Sequence, residues 1–286
     1  IKKAQQGVEV RFMYDDFGSR GLNKHFIRKL EKNGIETVPF YKIKWYALVN
    51  RLNYRNHRKI IVIDGKKSFI GGINISNRYR NDNKPENSLY WRDTHLMIDG
   101  PATFFLQYLF LCDWNFSAKS KLQFGPDYFP IFSKESEIRD ELVQIVSSGP
   151  DSKLPVILYS LLEAIGSAKE RVLVTSPYFI PGESLMDALI IAAKSGVDIK
   201  LLIPGVSDSM IVNSAARSYY TDLLQHGVRI FEYQKGFVHS KAMIIDDNLA
   251  VVGSANMDYR SFDLNFEVNA MLYSKTITGQ LQEAFN

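Results

Sequence analysis

His57-Arg-Lys-Ile-Ile-Val-Ile-Asp-Gly-Lys-Lys-Ser-Phe-Ile-Gly-Gly-Ile-Asn74 and His239-Ser-Lys-Ala-Met-Ile-Ile-Asp-Asp-Asn-Leu-Ala-Val-Val-Gly-Ser-Ala-Asn256 are two copies of one pattern. Each reads His-x-Lys-x4-Asp and continues into a Gly/Ser-rich turn that ends in Asn. Lys and Asp each fill roughly one position in sixteen of an average chain. Chance would then put both spacings on two of the five histidines on the order of once in several thousand chains. The pattern is a duplication, and a duplicated His/Lys pair suits the cleavage and reformation of a phosphodiester. An enzyme is the leading expectation.

Working outward, the flanking sequence falls into register, which is the test of an internal repeat. Gly7-Val-Glu-Val-Arg-Phe-Met-Tyr aligns with Gly196-Val-Asp-Ile-Lys-Leu-Leu-Ile, and Leu30-Glu-Lys-Asn-Gly-Ile-Glu with Leu224-Gln-His-Gly-Val-Arg across a small gap. His57–Arg78 then aligns with His239–Arg260 without gaps. Val8–Met13 and Val197–Ile203 are short apolar runs after a glycine, which predicts buried strands. Leu22–Lys32 and Met210–Gln225 predict helices. Lys59–Ile63 and Ala242–Ile245 predict strands apolar on both faces, closing at Asp64-Gly65 and Asp246-Asp247-Asn248. Strands alternating with helices predict an α/β sandwich in each half.

The second repeat has more at its front: a strand at Arg171–Thr175, the stiff turn Ser176-Pro-Tyr-Phe-Ile-Pro181, and a helix at Glu183–Ser195. The first repeat keeps only Ile1–Gln6 of the matching helix and lacks the matching strand. The chain starts with Ile inside what reads as a helix end, so it is expected to be a fragment. The expected division is a first half at 1–117, a connector at 118–152 with a strand near Ile138–Val146, and a second half at 153–286, with the active site between the halves.

Composition limits the alternatives. A chain of 286 residues, 45% hydrophobic and 23% charged, can bury a sizeable core. A net charge of +4 does not announce a nucleic-acid binder. Cys112 is the only cysteine, which excludes an intrachain disulfide and a Cys-based zinc site; it reads as a buried hydrophobe. The most apolar window, Ala102–Trp114, is interrupted by Gln107 and Asp113 and is short of the ~20 residues a membrane span needs. A signal peptide is not recognisable.

Phosphodiester chemistry needs charge neutralised, a nucleophile supplied and the leaving oxygen protonated. Two histidines facing each other across a phosphate divide the last two tasks. One attacks phosphorus as neutral imidazole and forms a phosphohistidine; the other protonates the leaving group and then deprotonates the incoming alcohol or water. Lys59 and Lys241 would bind non-bridging oxygens, with Asn74 and Asn256 donating further hydrogen bonds. In a strand, residues i and i+2 share a face, so each His-x-Lys presents both side chains together. Asp64 and Asp246 complete the motifs but fall on the opposite parity, where they would brace a turn. Each histidine also needs a group that fixes its tautomer, and Asp93 and Glu267 are the downstream carboxylates available. Arg58 and Ser240, at the x positions, should point away from substrate.

These motifs resemble the phospholipase D superfamily. More narrowly, Gly253-Ser-Ala-Asn-Met-Asp-Tyr-Arg-Ser-Phe-Asp-Leu-Asn-Phe-Glu-Val-Asn269 resembles the bacterial cardiolipin synthase signature, as do Tyr14-Asp-Asp-Phe-Gly-Ser19, Gly71-Gly-Ile-Asn74, Trp91-Arg-Asp93 and Ser176-Pro-Tyr-Phe-Ile-Pro181. The resemblance covers essentially the whole chain. It implies two phosphatidyl-transfer half-reactions through phosphohistidine, with no metal or other cofactor. Phosphatidylglycerol would be the donor, and the glycerol hydroxyl of a second phospholipid the acceptor. It also implies His57 as nucleophile, His239 as acid/base, and a peripheral catalytic part at the bacterial cell membrane, with membrane helices outside this chain.

Tyr41–Lys59, an insertion relative to the second repeat, carries Lys42, Lys44, Arg51, Arg55, Arg58 and Lys59 with Trp45, Tyr46 and Tyr54 and no acid. Such a segment suits an anionic bilayer, single-stranded nucleic acid or a plain solvated face. His25 and His226 read as structural; His95 reads as packing or as a support for the site. Asp16 and Asp208 read equally as ligand groups at strand ends and as turn caps. Three function classes follow: a phosphatidyltransferase making cardiolipin, a phospholipase or nuclease of the same superfamily, and an inactive lipid-binding protein. A nuclease is disfavoured because single-motif nucleases assemble their site from two chains, whereas both motifs are present here. Intact His and Lys in both motifs speak against the inactive protein.

Overall fold

The computed structural model describes residues 1–42, 53–82, 85, 88–132 and 141–286. The first half supplies β1 (Val10–Asp15), β2 (Ile35–Phe40), β3 (Arg55–Asn56), β4 (Ile60–Ile63), β5 (Lys67–Gly71), β6 (Tyr90–Arg92) and β7 (His95–Asp99). The second supplies β8 (Leu142–Ser148), β9 (Arg171–Thr175), β10 (Phe179–Ile180), β11 (Asp198–Pro204), β12 (Arg229–Tyr233), β13 (Gly236–Val238), β14 (Ala242–Ile245), β15 (Leu249–Gly253), β16 (Met257–Asp258) and β17 (Asn265–Tyr273). The architecture is the expected α/β one with two related halves.

In the second half the strands run β12-β11-β9-β14-β15-β17, with β8 on the far side of β17. β9, β11 and β12 are parallel, as strands linked by crossover helices are; β14, β15, β17 and β8 are antiparallel, as hairpins are. β8 comes from the stretch read as a connector and overlaps the expected strand over 142–146; residues 138–140 lie outside the described residues. The first half repeats this plan in two pieces, a parallel pair β1-β2 and an antiparallel trio β4-β5-β7. In the second half β9 lies between β11 and β14 and joins the matching pieces. Among the described residues no strand does so in the first half.

Alternation along the second-half strands serves two cores. Val251 and Met271 face helices Val156–Ser167 and Glu183–Lys194 on one side. Ala250, Val252, Ala270 and Leu272 face the other way, together with Ile70, Ile98 and Leu106 of the first half. The halves therefore meet face to face across a dry layer in which Ala242, Ala250 and Ala270 keep the strands close. Each large aliphatic fully buried here contributes about 1.5–3 kcal/mol, which fixes the relative position of the two motifs.

Two further strand pairs cross from half to half and determine the site. β3 pairs with β17 through Arg55 against Asn265 and Asn56 against Phe266. β13 pairs with β6 through Phe237 against Trp91 and Val238 against Arg92. Two sequence expectations are corrected. The helix expected over Met210–Gln225 is two, Met210–Arg217 and Tyr220–Gln225, broken where the Ser218 hydroxyl donates to the Ala215 carbonyl and competes with the helix ladder. The His-x-Lys tripeptides lie just outside the strands, in extended links from β3 to β4 and from β13 to β14.

Candidate active site

The crossing pairs deliver each histidine to a carboxylate. The amide of His57 donates to the carbonyl of Phe266 at 3.0 Å, and the next residue is Glu267. The amide of His239 donates to the carbonyl of Arg92 at 2.7 Å, and the next residue is Asp93. Partners are thereby exchanged between halves. Nδ1 of His57 lies 2.8 and 3.0 Å from the two oxygens of Glu267, and Nδ1 of His239 lies 2.7 Å from Asp93 Oδ2. The sequence names both carboxylates without saying which histidine each faces; the structure puts each on the histidine of the opposite half. A carboxylate on Nδ1 holds the proton there and leaves Nε2 as the reactive nitrogen.

The turns after the motifs make room for those carboxylates. A Cβ on Gly72 would lie 2.2 Å from Asp93 Oδ1, so only glycine lets Asp93 settle against His239. Ser254 holds the same place in the second repeat and donates its hydroxyl to Glu267 Oε2 at 2.5 Å. Asn265 Nδ2 donates to Oε1 at 3.1 Å. Burial raises the Glu267 pKa, but His57, Lys59 and Ser254 outweigh it, and the carboxyl titrates below its ordinary value.

Lys241 is buried and Lys59 half-buried, each bonded to its own histidine. Lys59 Nζ donates to the His57 carbonyl at 2.7 Å and Lys241 Nζ to the His239 carbonyl at 2.5 Å. Burial pulls Lys59 down to about 8, against the attraction of Glu267 and Asp93. It pulls Lys241 down to about 7, Asp93 opposing it and Lys59 adding to the fall. Each lysine thus feels the carboxylate of either half, so both motifs share one site. Neither ammonium forms a direct ion pair among the described residues, so the pocket gains by taking up an anion.

The two histidines differ. The His57 side chain is 28% exposed, whereas that of His239 is 9% exposed and enclosed by the rings of Trp91 and Phe237, with centroids 5.5 and 5.9 Å away. Burial first, and Lys241 second, bring His239 down to about 4 despite Asp93. Its resting form is neutral.

A family model described as "Cardiolipin synthase, PLD-like domain" matches residues 1–99 and 161–286. The chain belongs to this family. Among curated relatives, the cardiolipin synthase of Geobacillus kaustophilus is 48% identical over 275 residues, covering 96% of this chain and 54% of the relative. That of Listeria welshimeri is 45% identical over 285 residues, covering 99% and 58%. One from Staphylococcus aureus is 45% identical over 285 residues, covering 99% and 57%. The chain spans about half the length of these curated relatives. Among solved structures, phosphatidylserine synthase from Haemophilus influenzae matches with a TM-score of 0.69 over 99% of this chain and 74% of that one. At 14% identity this is a likeness of fold.

Within this phospholipase D-like site the remaining sequence candidates take different places. Asn74 is exposed and donates from Nδ2 to the Tyr79 hydroxyl at 2.9 Å, while Asn256 is buried with its Oδ1 unpartnered among the described residues. Asp246 sits past the end of β14 in a left-handed conformation, φ 50°, which Asp tolerates. Its carboxylate accepts the amides of Lys169, Glu170 and Arg171 at 2.8–2.9 Å. Burial raises its pKa, but those three amides win and lower it. Asp246 therefore ties its turn to the start of β9. Asp64 has the same conformation, φ 54°, without such a tie among the described residues.

Arg58 leaves the site for Asp113 at 2.7 Å, and Ser240 meets Thr94 at 2.6 Å. Asp15 accepts the Asn56 amide at 2.9 Å and so steadies the approach to His57. Asp208 accepts the Tyr178 hydroxyl at 2.9 Å. His95 Nδ1 is buried with no partner among the described residues, and burial lowers its pKa. His226 bonds its own helix at the Asp222 carbonyl. Of the basic insertion, residues 43–52, with Lys44, Trp45, Tyr46 and Arg51, lie outside the described residues; Arg55 stacks on Phe17 and pairs with Asp15. Sequence reasoning missed Tyr79, Ser254 and the aromatic wall of Trp91 and Phe237. Only Ser254 carried a signal, as the counterpart of Gly72 in the repeat. Among the described residues no cluster of three His, Cys, Asp or Glu is placed to hold a metal, and no helix is long and apolar enough to cross a membrane.

Proposed function

We propose that the chain is the catalytic part of a cardiolipin synthase. It would transfer a phosphatidyl group from phosphatidylglycerol to the glycerol hydroxyl of a second phospholipid and release glycerol. The observation that carries the reading is the reciprocal pairing of His57 with Glu267 and His239 with Asp93 around Lys59 and Lys241. It occurs in a chain 44–48% identical to proteins of that name.

Lys59 and Lys241 hold the non-bridging oxygens of the donor, with Asn74 and Asn256 at the rim of the same group. Nε2 of His57 attacks phosphorus, and the phosphorus–oxygen bond to glycerol breaks. Support for His57 in this role is that Glu267 engages Nδ1 and, among the described residues, no hydrogen bond occupies Nε2, whereas Lys241 Nζ lies 3.0 and 3.2 Å from Nδ1 and Nε2 of His239. His239 gives the leaving glycerol oxygen its proton. The bound phosphate diester, an anion beside two lysines, raises the affinity of His239 for that proton. In the second half-reaction His239 takes the proton from the acceptor hydroxyl, whose oxygen displaces His57 from phosphorus. One phosphodiester is exchanged for another, so no external energy source is required. Glu267 and Asp93 orient, and Asp246 braces its turn. The division into 1–117, 118–152 and 153–286 and attachment to a bacterial membrane surface belong to the same proposal.

The test is product analysis with radiolabelled phosphatidylglycerol in mixed micelles, with His57→Ala beside the unaltered protein. Cardiolipin and free glycerol, lost in the variant, support the transferase. Phosphatidic acid alone would make the protein a hydrolase, the second reading, in which water takes the place of the acceptor alcohol. No lipid turnover would overturn both and send the search to nucleic acids.

A further inference from the structure

One contact of the active site has no counterpart in the other half. The hydroxyl of Tyr79 lies 3.0 Å from Nδ1 of His239, and Asn74 Nδ2 donates to the same hydroxyl at 2.9 Å. The Tyr79 ring meets His239 and Trp91 edge-on, with centroids 5.7 and 5.3 Å apart. Continuing the ungapped alignment of the repeats by one residue pairs Tyr79 with Ser261. Ser261 is fully buried, and its hydroxyl accepts the amide of Asn256. Asn74 and Asn256 thus both engage this position, but only in the first half does the side chain there extend to a histidine, and to the histidine of the other half.

We propose that Tyr79 is a positioning residue for His239, an asymmetry built into the duplicated site. With Asp93 ionised, the Nδ1 proton of His239 goes to Asp93, and the Tyr79 oxygen is a second acceptor beside it. That oxygen takes one hydrogen bond from Asn74 and shares the Nδ1 proton with Asp93, so both lone pairs are used and its own proton points into the pocket. The tyrosine stays protonated, since burial pushes it up to about 12. The charged groups facing His239 are Asp93, which favours the imidazolium, and Lys241, whose Nζ lies 3.0 Å from the same Nδ1, and Lys59, which oppose it. Against two cations and one anion, a second acceptor on Nδ1 favours the protonated ring. It also holds the ring so that Nε2 keeps its place when Lys241 swings to the substrate phosphate. His57, with both oxygens of Glu267 and greater exposure, has no such need.

The rate arm of the test rests on the transferase reading, and the spectroscopic arm does not. The full chain, labelled with ¹⁵N in its histidine rings, is titrated by NMR as unaltered protein, as Tyr79→Phe and as Asn74→Ala. Tyr79→Phe keeps the ring packing and removes only the hydroxyl. Asn74→Ala keeps the hydroxyl and removes its anchor, so it serves if the first variant folds poorly.

The expected result is a downward move of the His239 titration by about half to one pH unit with the His57 titration unmoved. The cardiolipin-forming kcat should fall about tenfold with KM within twofold, equivalent to about 1.4 kcal/mol at 1.36 kcal/mol per decade. A His239 titration that does not move, whatever the rate does, overturns the proposal. Equal movement of both histidines also overturns it, since Tyr79 would then be shaping the site as a whole. If no lipid turns over even in the unaltered protein, the transferase reading falls while the titration still decides the role of Tyr79.

Discussion

Replacing Glu267 by Gln tests the structural reason for the crossed partners. Glu267 is fully buried, holds His57 through both oxygens and receives Ser254 and Asn265. Gln has the same shape and keeps one acceptor oxygen, but puts an NH2 where the second oxygen was. Asn265 reaches one oxygen and Ser254 the other, while His57 Nδ1 lies against both, so an NH2 in either place faces Nδ1. Two donors cannot face each other, so Nδ1 becomes the acceptor and the proton moves to Nε2. The lone pair that attacks phosphorus is then gone. Neutralising the equivalent carboxylate in a His–carboxylate pair elsewhere lowers kcat about 10⁴-fold by this tautomer change. A loss of 10³–10⁴ is about 4–5.5 kcal/mol of barrier at 1.36 kcal/mol per decade. Lys59 loses its principal counter-charge as well and falls below its present value of about 8, so less of it is cationic at neutral pH. The assay is initial-rate formation of cardiolipin at saturating phosphatidylglycerol, with near-ultraviolet circular dichroism to confirm folding. A folded variant that keeps more than about a tenth of the rate would refute the reasoning.

Gly72→Ala places a Cβ 2.2 Å from Asp93 Oδ1 and pushes the carboxylate off His239. The expected outcome is a loss of at least about 100-fold in kcat, the lower end of what one misplaced catalytic group costs, with overpacking of about 1–3 kcal/mol in chemical denaturation. Asp246→Ala loses three amide partners and leaves Ala in a left-handed conformation. It should lower stability by about 2 kcal/mol or more, read as a fall in urea midpoint, whereas Asp246→Asn should recover part of the loss. Stability should rise with pH between about 4 and 6.5, because His239 titrates near 4 when folded and near 6.5 when unfolded. The unfolded chain binds the extra proton in that window, so acid favours unfolding. The full span is on the order of 3 kcal/mol, and the difference in slope between the unaltered protein and His239→Phe isolates it from the carboxylates.

The motifs, the repeat and the long strands were legible because each is local. A five-residue run such as Arg171–Thr175 declares itself by β-branching and by its bounding residues. A doubled His-x-Lys declares itself by spacing. The crossing of the carboxylates was not legible. It rests on β3 against β17 and β13 against β6, pairings of two and three residues that leave no period in the sequence and join positions about 150–210 apart. Tyr79 escaped for the same reason, since its partner lies 160 residues away in the other half. The serine that breaks the helix expected over Met210–Gln225 is an ordinary helix residue by composition and acts only through its hydroxyl. Of the basic insertion, Arg55 and Arg58 pair with Asp15 and Asp113 within the fold, while residues 43–52 lie outside the described residues.

The phosphatidyl-enzyme itself is the most direct test of the central claim. His239→Ala is mixed with a phosphatidyl ester of p-nitrophenol whose lipid is labelled. That leaving group needs no proton, so the first half-reaction proceeds, while the second stalls without a base to deprotonate the acceptor. The account predicts one equivalent of p-nitrophenolate per chain and label recovered, after an alkaline quench, on the peptide containing His57. Release of p-nitrophenolate with no label on the protein, or label on any other residue, would contradict it.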